Sequence, residues 1–128
     1  MADLVYKELS CKLIGFAFDI YKQLGSGLRE AIYSDVYELL LQKNQINYQR
    51  EVSHRLEFEG QIIGRRYFDF LIDNKVIIEL KSGTKNYHQA FEQLKEYVFA
   101  ANLKLGIIIR FTSDGVKSVR IVNTKSKN

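Results

Sequence analysis

Cysteine is nearly missing from this chain: Cys11 stands alone among 128 residues. No disulfide can form within it, and a reducing compartment is the natural setting. Long apolar runs are missing too, with nothing approaching the roughly 20 residues that cross a bilayer. The first residues lack the basic-then-apolar pattern of a secretory signal. The expectation is a cytoplasmic protein without membrane contact. Acids are scarce at one end: residues 101–128 hold Asp114 against Lys104, Arg110, Lys117, Arg120, Lys125 and Lys127. That quarter carries +5 and the remainder −1, within a net charge of +4. Such asymmetry suits a polyanionic partner, although a solvated strand edge and a frayed lysine tail produce the same count. Repeats, linkers and low-complexity stretches are also lacking, apart from the last few residues. What remains, with 46% hydrophobic content, fits one compact domain and leaves no room for a second. Residues 1–123 are expected to form it, with 124–128 as a flexible basic tail.

Apolar residues at Leu4, Val5, Leu9, Leu13, Ile14, Phe16, Ala17, Ile20 and Leu24 recur at helical spacing and predict a helix over 4–24. Gly25-Ser26-Gly27 ends it. A second helix is predicted from about Leu28 to Lys43, with Ile32, Val36, Leu39 and Leu40 inward. From Tyr48 the period shortens towards two. Strands are predicted up to Phe58, from Ile62 to Ile72 and from Val76 to Lys81, with turns at Glu59-Gly60-Gln61 and Asp73-Asn74-Lys75. The last of these is the most apolar and is expected at the centre of the sheet. Helical spacing returns over 86–101, and two more strands follow, Leu105–Phe111 and an edge strand Val116–Val122. The order ααβββαββ describes an α/β (α+β) domain, a mixed sheet of about five strands flanked by helices.

Within this apolar pattern three charges stand out. Asp69 lies between Phe68 and Phe70, and Glu79 and Lys81 interrupt a run of valine, isoleucine and leucine. Unpaired charge inside an apolar interior is costly, so these groups must satisfy one another or hold something. Residues two apart on a strand share a face, so Glu79, Lys81 and Ile77 point one way while Val76, Ile78 and Leu80 point the other. A three-residue loop at 73–75 sets Ile72 opposite Val76, and counting outward puts Asp69 opposite Glu79 and Tyr67 opposite Lys81. Opposed side chains have Cβ atoms roughly 4.5–5.5 Å apart, and two carboxylates that close repel unless a proton or cation lies between them. A hard divalent ion, Mg²⁺ or Mn²⁺, suits such a pair, because it accepts one or two carboxylates and keeps positions for water and phosphate oxygens. The bland alternative is a structural ion pair of Lys81 with Asp69 or Glu79.

Asp69 followed by Glu79-Leu80-Lys81 resembles the core of the PD-(D/E)xK nuclease superfamily, and Gly27-Leu28-Arg29-Glu30-Ala31-Ile32-Tyr33 is similar to the signature of the GxxExxY protein family within it. The likeness continues through Gln93-Leu94-Lys95-Glu96-Tyr97 and Leu103-Lys104-Leu105-Gly106, over roughly residues 10–123. It departs at Tyr21 and Arg110, where comparable proteins often carry histidine and asparagine; these positions bear on substrate choice. The resemblance implies metal-dependent phosphodiester hydrolysis of nucleic acid, DNA or RNA. Asp69, Glu79, the Leu80 carbonyl and Glu30 would hold the ion or its water, Lys81 would activate or position the nucleophile, and Gln93 would orient the substrate. Tyr33, His88 and Tyr97 are candidate substrate contacts. Core packing for the tyrosines and a solvated surface for His88 are the plain alternatives. A catalytically silent nucleic-acid-binding or protein-interaction module on the same fold is the alternative function, and a homodimer is the expected assembly.

Overall fold

The computed structural model describes residues 5–126. Leu4 and the tail residues Lys127 and Asn128 lie outside them. In chain order the elements are α1 (Lys7–Leu24), α2 (Glu30–Lys43), β1 (Tyr48–Gln49), β2 (Val52–Phe58), β3 (Gln61–Phe68), β4 (Phe70–Ile72), β5 (Val76–Ser82), α3 (Tyr87–Ala100), β6 (Leu105–Thr112) and β7 (Gly115–Val122). Five strands form one mixed sheet in the order β1-β4-β5-β6-β7, and β2 and β3 form a separate hairpin. The β5–β6 pair is parallel and the other pairs are antiparallel. The apolar strand β5 is central and β7 is an edge, as the sequence pattern predicts. Of the tail, Lys125 N–H donates to Asn123 Oδ1 and Ser126 Oγ–H to the Asn102 carbonyl, which places these residues in a turn against the domain.

Both faces of the sheet are covered. On one, Phe70, Ile72, Val76, Ile78, Leu80, Leu105, Ile107, Ile109 and Phe111 pack under α1 and α2. On the other, Ile77, Ile108 and Ile121 meet Ala90, Leu94 and Val98 of α3. Burial on both faces explains why β5 and β6 read as near-continuous apolar runs. Helix α1 stops at Gly25 (φ 71°), whose N–H donates to the Tyr21 carbonyl.

Helix α2 turns inward a face that matches its aliphatic residues only in part: Val36 and Leu40 pack against the core. Tyr33, Ser34, Tyr37 and Leu41 are buried, whereas Leu39 is 62% exposed and Ile32 36%. Tyrosine hydroxyls decide this: Tyr37 donates to the Leu13 carbonyl at 2.8 Å and Tyr33 to the Gly25 carbonyl at 2.6 Å. Each large ring therefore enters the core with its polar tip satisfied. The Tyr33 ring also stacks on Phe111, with centroids 3.9 Å apart.

The strand expected over 62–72 is broken at Asp69. Phe68 pairs with Val52 in the hairpin, while Phe70 pairs with Ile78 in the main sheet. Tyr67 accordingly pairs with Ser53 and not with Lys81. The 73–75 loop sets Ile72 against Val76, Leu71 against Ile77 and Phe70 against Ile78. Asp73 and Asn74 supply its left-handed backbone (φ 52° and 55°), a conformation these side chains tolerate.

Candidate functional site

Because β4 ends at Phe70, the last residues of β5 have no strand beside them on that edge. Ile78 is the last residue of β5 paired with β4. Counting outward, Leu80 would face Phe68, but Phe68 has turned away into the hairpin. The Leu80 N–H donates instead to Asp69 Oδ2, at 2.7 Å. The N–H and carbonyl of one strand residue point to the same edge, so the Leu80 carbonyl faces the same gap. Asp69 Oδ1 accepts from Ser34 Oγ of α2 at 3.2 Å, and the Asp69 N–H donates to Glu79 Oε1, also at 3.2 Å. The break in the strand thus turns a backbone ladder into a carboxylate pair.

Glu79 is largely sealed in the sheet. Burial, then the adjacent Asp69 carboxylate and the hydrogen bond between them, push its carboxyl up to about 9; Lys81 pulls the other way without offsetting them. Two acids this close retain a proton unless another positive charge relieves them. Lys81 reaches round the open edge of β5 to Glu30 Oε1 of α2, with Nζ at 3.8 Å. Glu30 Oε2 accepts from the Ser82 N–H at 3.3 Å, and Ser82 Oγ–H donates to the Leu28 carbonyl at 2.6 Å. These bonds fix the start of α2 against the end of β5. A cavity of about 490 Å³ opens here, lined by Glu30, Ala31, Ser34, Arg50, Glu51 and Asp69. Arg50 lies at its rim, bound to Asp35 at 2.9 Å and Glu38 at 2.7 Å.

Asp69, Glu79, Lys81 and Glu30 are therefore brought to one edge. Among the described residues, however, no three acid, histidine or cysteine side chains converge on one point. Glu30 stands beside Lys81 and shares the lining of one cavity with Asp69. The donor set is two carboxylates and a carbonyl at an open edge, which fits an ion that keeps several waters.

The other candidates are placed elsewhere. Tyr33 is fully buried, so it is a core residue and cannot touch a substrate. Its hydroxyl, bonded to Gly25, holds the turn that delivers Glu30. Tyr97 packs between α3 and the hairpin, 5.0 Å from the Phe68 ring and 5.2 Å from His54; it fastens the hairpin to the helix. Gln93 lines a groove with Arg66, Gln89 and Glu96. His88 is exposed in the first turn of α3. Sequence reasoning missed Ser34, Arg50, Glu51 and Ser82. Ser34 was the findable one, since it follows Glu30 by one helical turn and so shares its face.

A family model described as the PD-(D/E)XK nuclease superfamily matches residues 7–122. The chain belongs to this superfamily. Nucleases of the PD-(D/E)XK superfamily usually use divalent metal ions. Among solved structures, the chain is similar to the crystal structure of SSO0001, with a TM-score of 0.55 and 24% identity over 92% of this chain. It spans 58% of that chain, and at this identity the likeness concerns the fold: a five-strand mixed sheet flanked by helices. Comparison with curated proteins finds no match. Among the described residues no helix is long and apolar enough to cross a membrane.

Proposed function

We propose that this PD-(D/E)XK protein is a Mg²⁺- or Mn²⁺-dependent nuclease that hydrolyses a phosphodiester bond of nucleic acid. The observation that carries the reading is the meeting of Asp69 and Glu79, with the Leu80 carbonyl and Lys81, at the unpaired edge of β5. Asp69, Glu79 and the Leu80 carbonyl would hold the ion, and Ser34 fixes the orientation of Asp69. A divalent ion bound there would supply charge stabilisation for the phosphoryl oxygens. Lys81 places a mobile positive charge beside the scissile phosphate and the attacking water. Glu30 positions that ammonium through its 3.8 Å contact, and its anchorage to Ser82 keeps it there. The narrower membership, in the GxxExxY proteins, is supported by the arrangement of its three signature residues: Gly27 takes φ 90°, Glu30 meets Lys81, and Tyr33 ties the turn together.

Titration with Mg²⁺ or Mn²⁺ should raise the melting temperature, the added stability reaching about 2.7 kcal/mol at a hundredfold excess over Kd. Glu79→Gln should remove that rise. Lys81→Ala should keep the rise and abolish metal-dependent cleavage of a mixed panel of DNA and RNA substrates. Absence of both ion stabilisation and cleavage would sink the reading. A second reading, a silent nucleic-acid-binding module, is favoured by the convergence of two carboxylates instead of three. Its signature is ion stabilisation without cleavage.

A further inference from the structure

Beside the carboxylate pair, a row of cations crosses the sheet. The register sets Lys81 of β5 opposite Arg110 of β6, and Arg110 opposite Lys117 of β7. Ile77, Ile108 and Ile121 on the same strands belong to the core beneath α3. Residues two or four along from them share their face. All three positions therefore lie on the α3 face of the sheet, at the end where that helix begins, with the Lys81 side chain turned to the β5 edge and Glu30. Tyr87, where α3 begins, lies against the Arg110 guanidinium at 4.1 Å to the ring centroid. That stacking holds Arg110 flat, while Lys117 is exposed.

Like charges set directly opposite on neighbouring strands destabilise a sheet. Here three lie abreast. Among the described residues the only carboxylate within ion-pair distance of the row is Glu30, at Lys81; Arg110 and Lys117 have none. Tyr87 and Glu30 satisfy Arg110 and Lys81 only in part, and a polyanion would relieve the whole row.

We propose that Lys81, Arg110 and Lys117 form a track for the phosphodiester backbone of nucleic acid, running from the carboxylate pair to the β7 edge. This rests on the reading of the pair as a phosphodiester site. Two inter-strand spacings of about 4.8 Å make the row roughly 10 Å long at the backbone. Lys81 meets the phosphate at the site. Arg110, preorganised on Tyr87, presents its fork to two oxygens of a flanking phosphate. Lys117 takes the next. Contacts of this kind position a strand and carry no base information, so the track binds without sequence preference.

The test is binding of a labelled oligonucleotide, single-stranded and as a duplex, in EDTA between about 50 and 200 mM salt. The row variant is Arg110→Gln/Lys117→Gln, and the control with equal charge loss is Lys12→Gln/Lys22→Gln on the outer face of α1. The row variant should bind roughly tenfold more weakly or worse. Its slope of log affinity against log salt should be shallower by roughly 1.8 on duplex or 1.4 on single strand, at about 0.9 and 0.7 per lost contact. The control should move far less. An unmoved slope, equal losses in both variants, or no binding by the parent chain would overturn the track. Cleavage and thermal stabilisation with Mn²⁺, measured in parallel, separate the two readings: if both are absent while the row variant still loses affinity, the reading of the carboxylate pair fails and the track stands.

Discussion

Glu79 holds its proton across a pH range in which an exposed glutamate has lost it. Its folded carboxyl lies at about 9 against an ordinary 4.5, so between those values the native state binds a proton that the unfolded chain has released. Stability of the ion-free protein therefore falls as pH rises from about 4.5 towards 9, where the penalty is fully present. Glu79→Gln cannot ionise and should flatten that slope in a series of thermal melts from acid to mildly alkaline pH. An unchanged slope would assign the titration to another group. Asp69, Glu79 and Lys81 were legible at this scale because charge inside apolar strands has few explanations. The places of Tyr33 and Tyr97 were not, because they depend on partners brought in by the fold: the Gly25 carbonyl for the Tyr33 hydroxyl and the hairpin rings for Tyr97.

Among the elements, α3 and β6 approach most closely at Gly106, where a Cβ would lie 2.7 Å from Val98 Cγ2 and 3.1 Å from Ile77 Cγ2. Gly106→Ala should therefore destabilise the protein by about 1–3 kcal/mol through overpacking. Denaturant unfolding reads the loss; a midpoint equal to that of the parent would mean that α3 shifts freely. The turn at 73–75 could be read from Asp73 and Asn74, so the pairing of β4 with β5 was within reach. The break at Asp69 was not. Phe68 and Phe70 are apolar residues of equal parity and read as one continuous strand, yet they enter different cores. The inward face of α2 was legible only in part for a related reason: counting aliphatic residues placed Val36 and Leu40 against the core but also Leu39, while two aromatic rings with bonded hydroxyls fill more of it.

At the scale of the molecule, two cores share the five-strand sheet and the β2–β3 hairpin is an outlier. Val52 and Phe68 tie it to α3, with Tyr97 and His54 in ring contact. Towards its tip Phe58, Ile62 and Ile63 are exposed. A two-stranded ribbon has little stability of its own, so hairpin amides should exchange with solvent well before those of β5 and β6 in native-state hydrogen exchange. Equal protection in the two regions would show that the ribbon opens only with the whole domain. The overall α/β architecture was legible because period and length separate helices from buried strands; the detached ribbon was not, since β2 and β3 carry ordinary strand chemistry.

The thiol of Cys11 is exposed on α1, whose buried side is formed by Ser10, Leu13, Phe16, Ala17 and Ile20. The native chain thus carries one natural attachment point for a maleimide fluorophore, on a helix surface turned away from the sheet. Labelling there gives a single-dye reporter without any engineered cysteine.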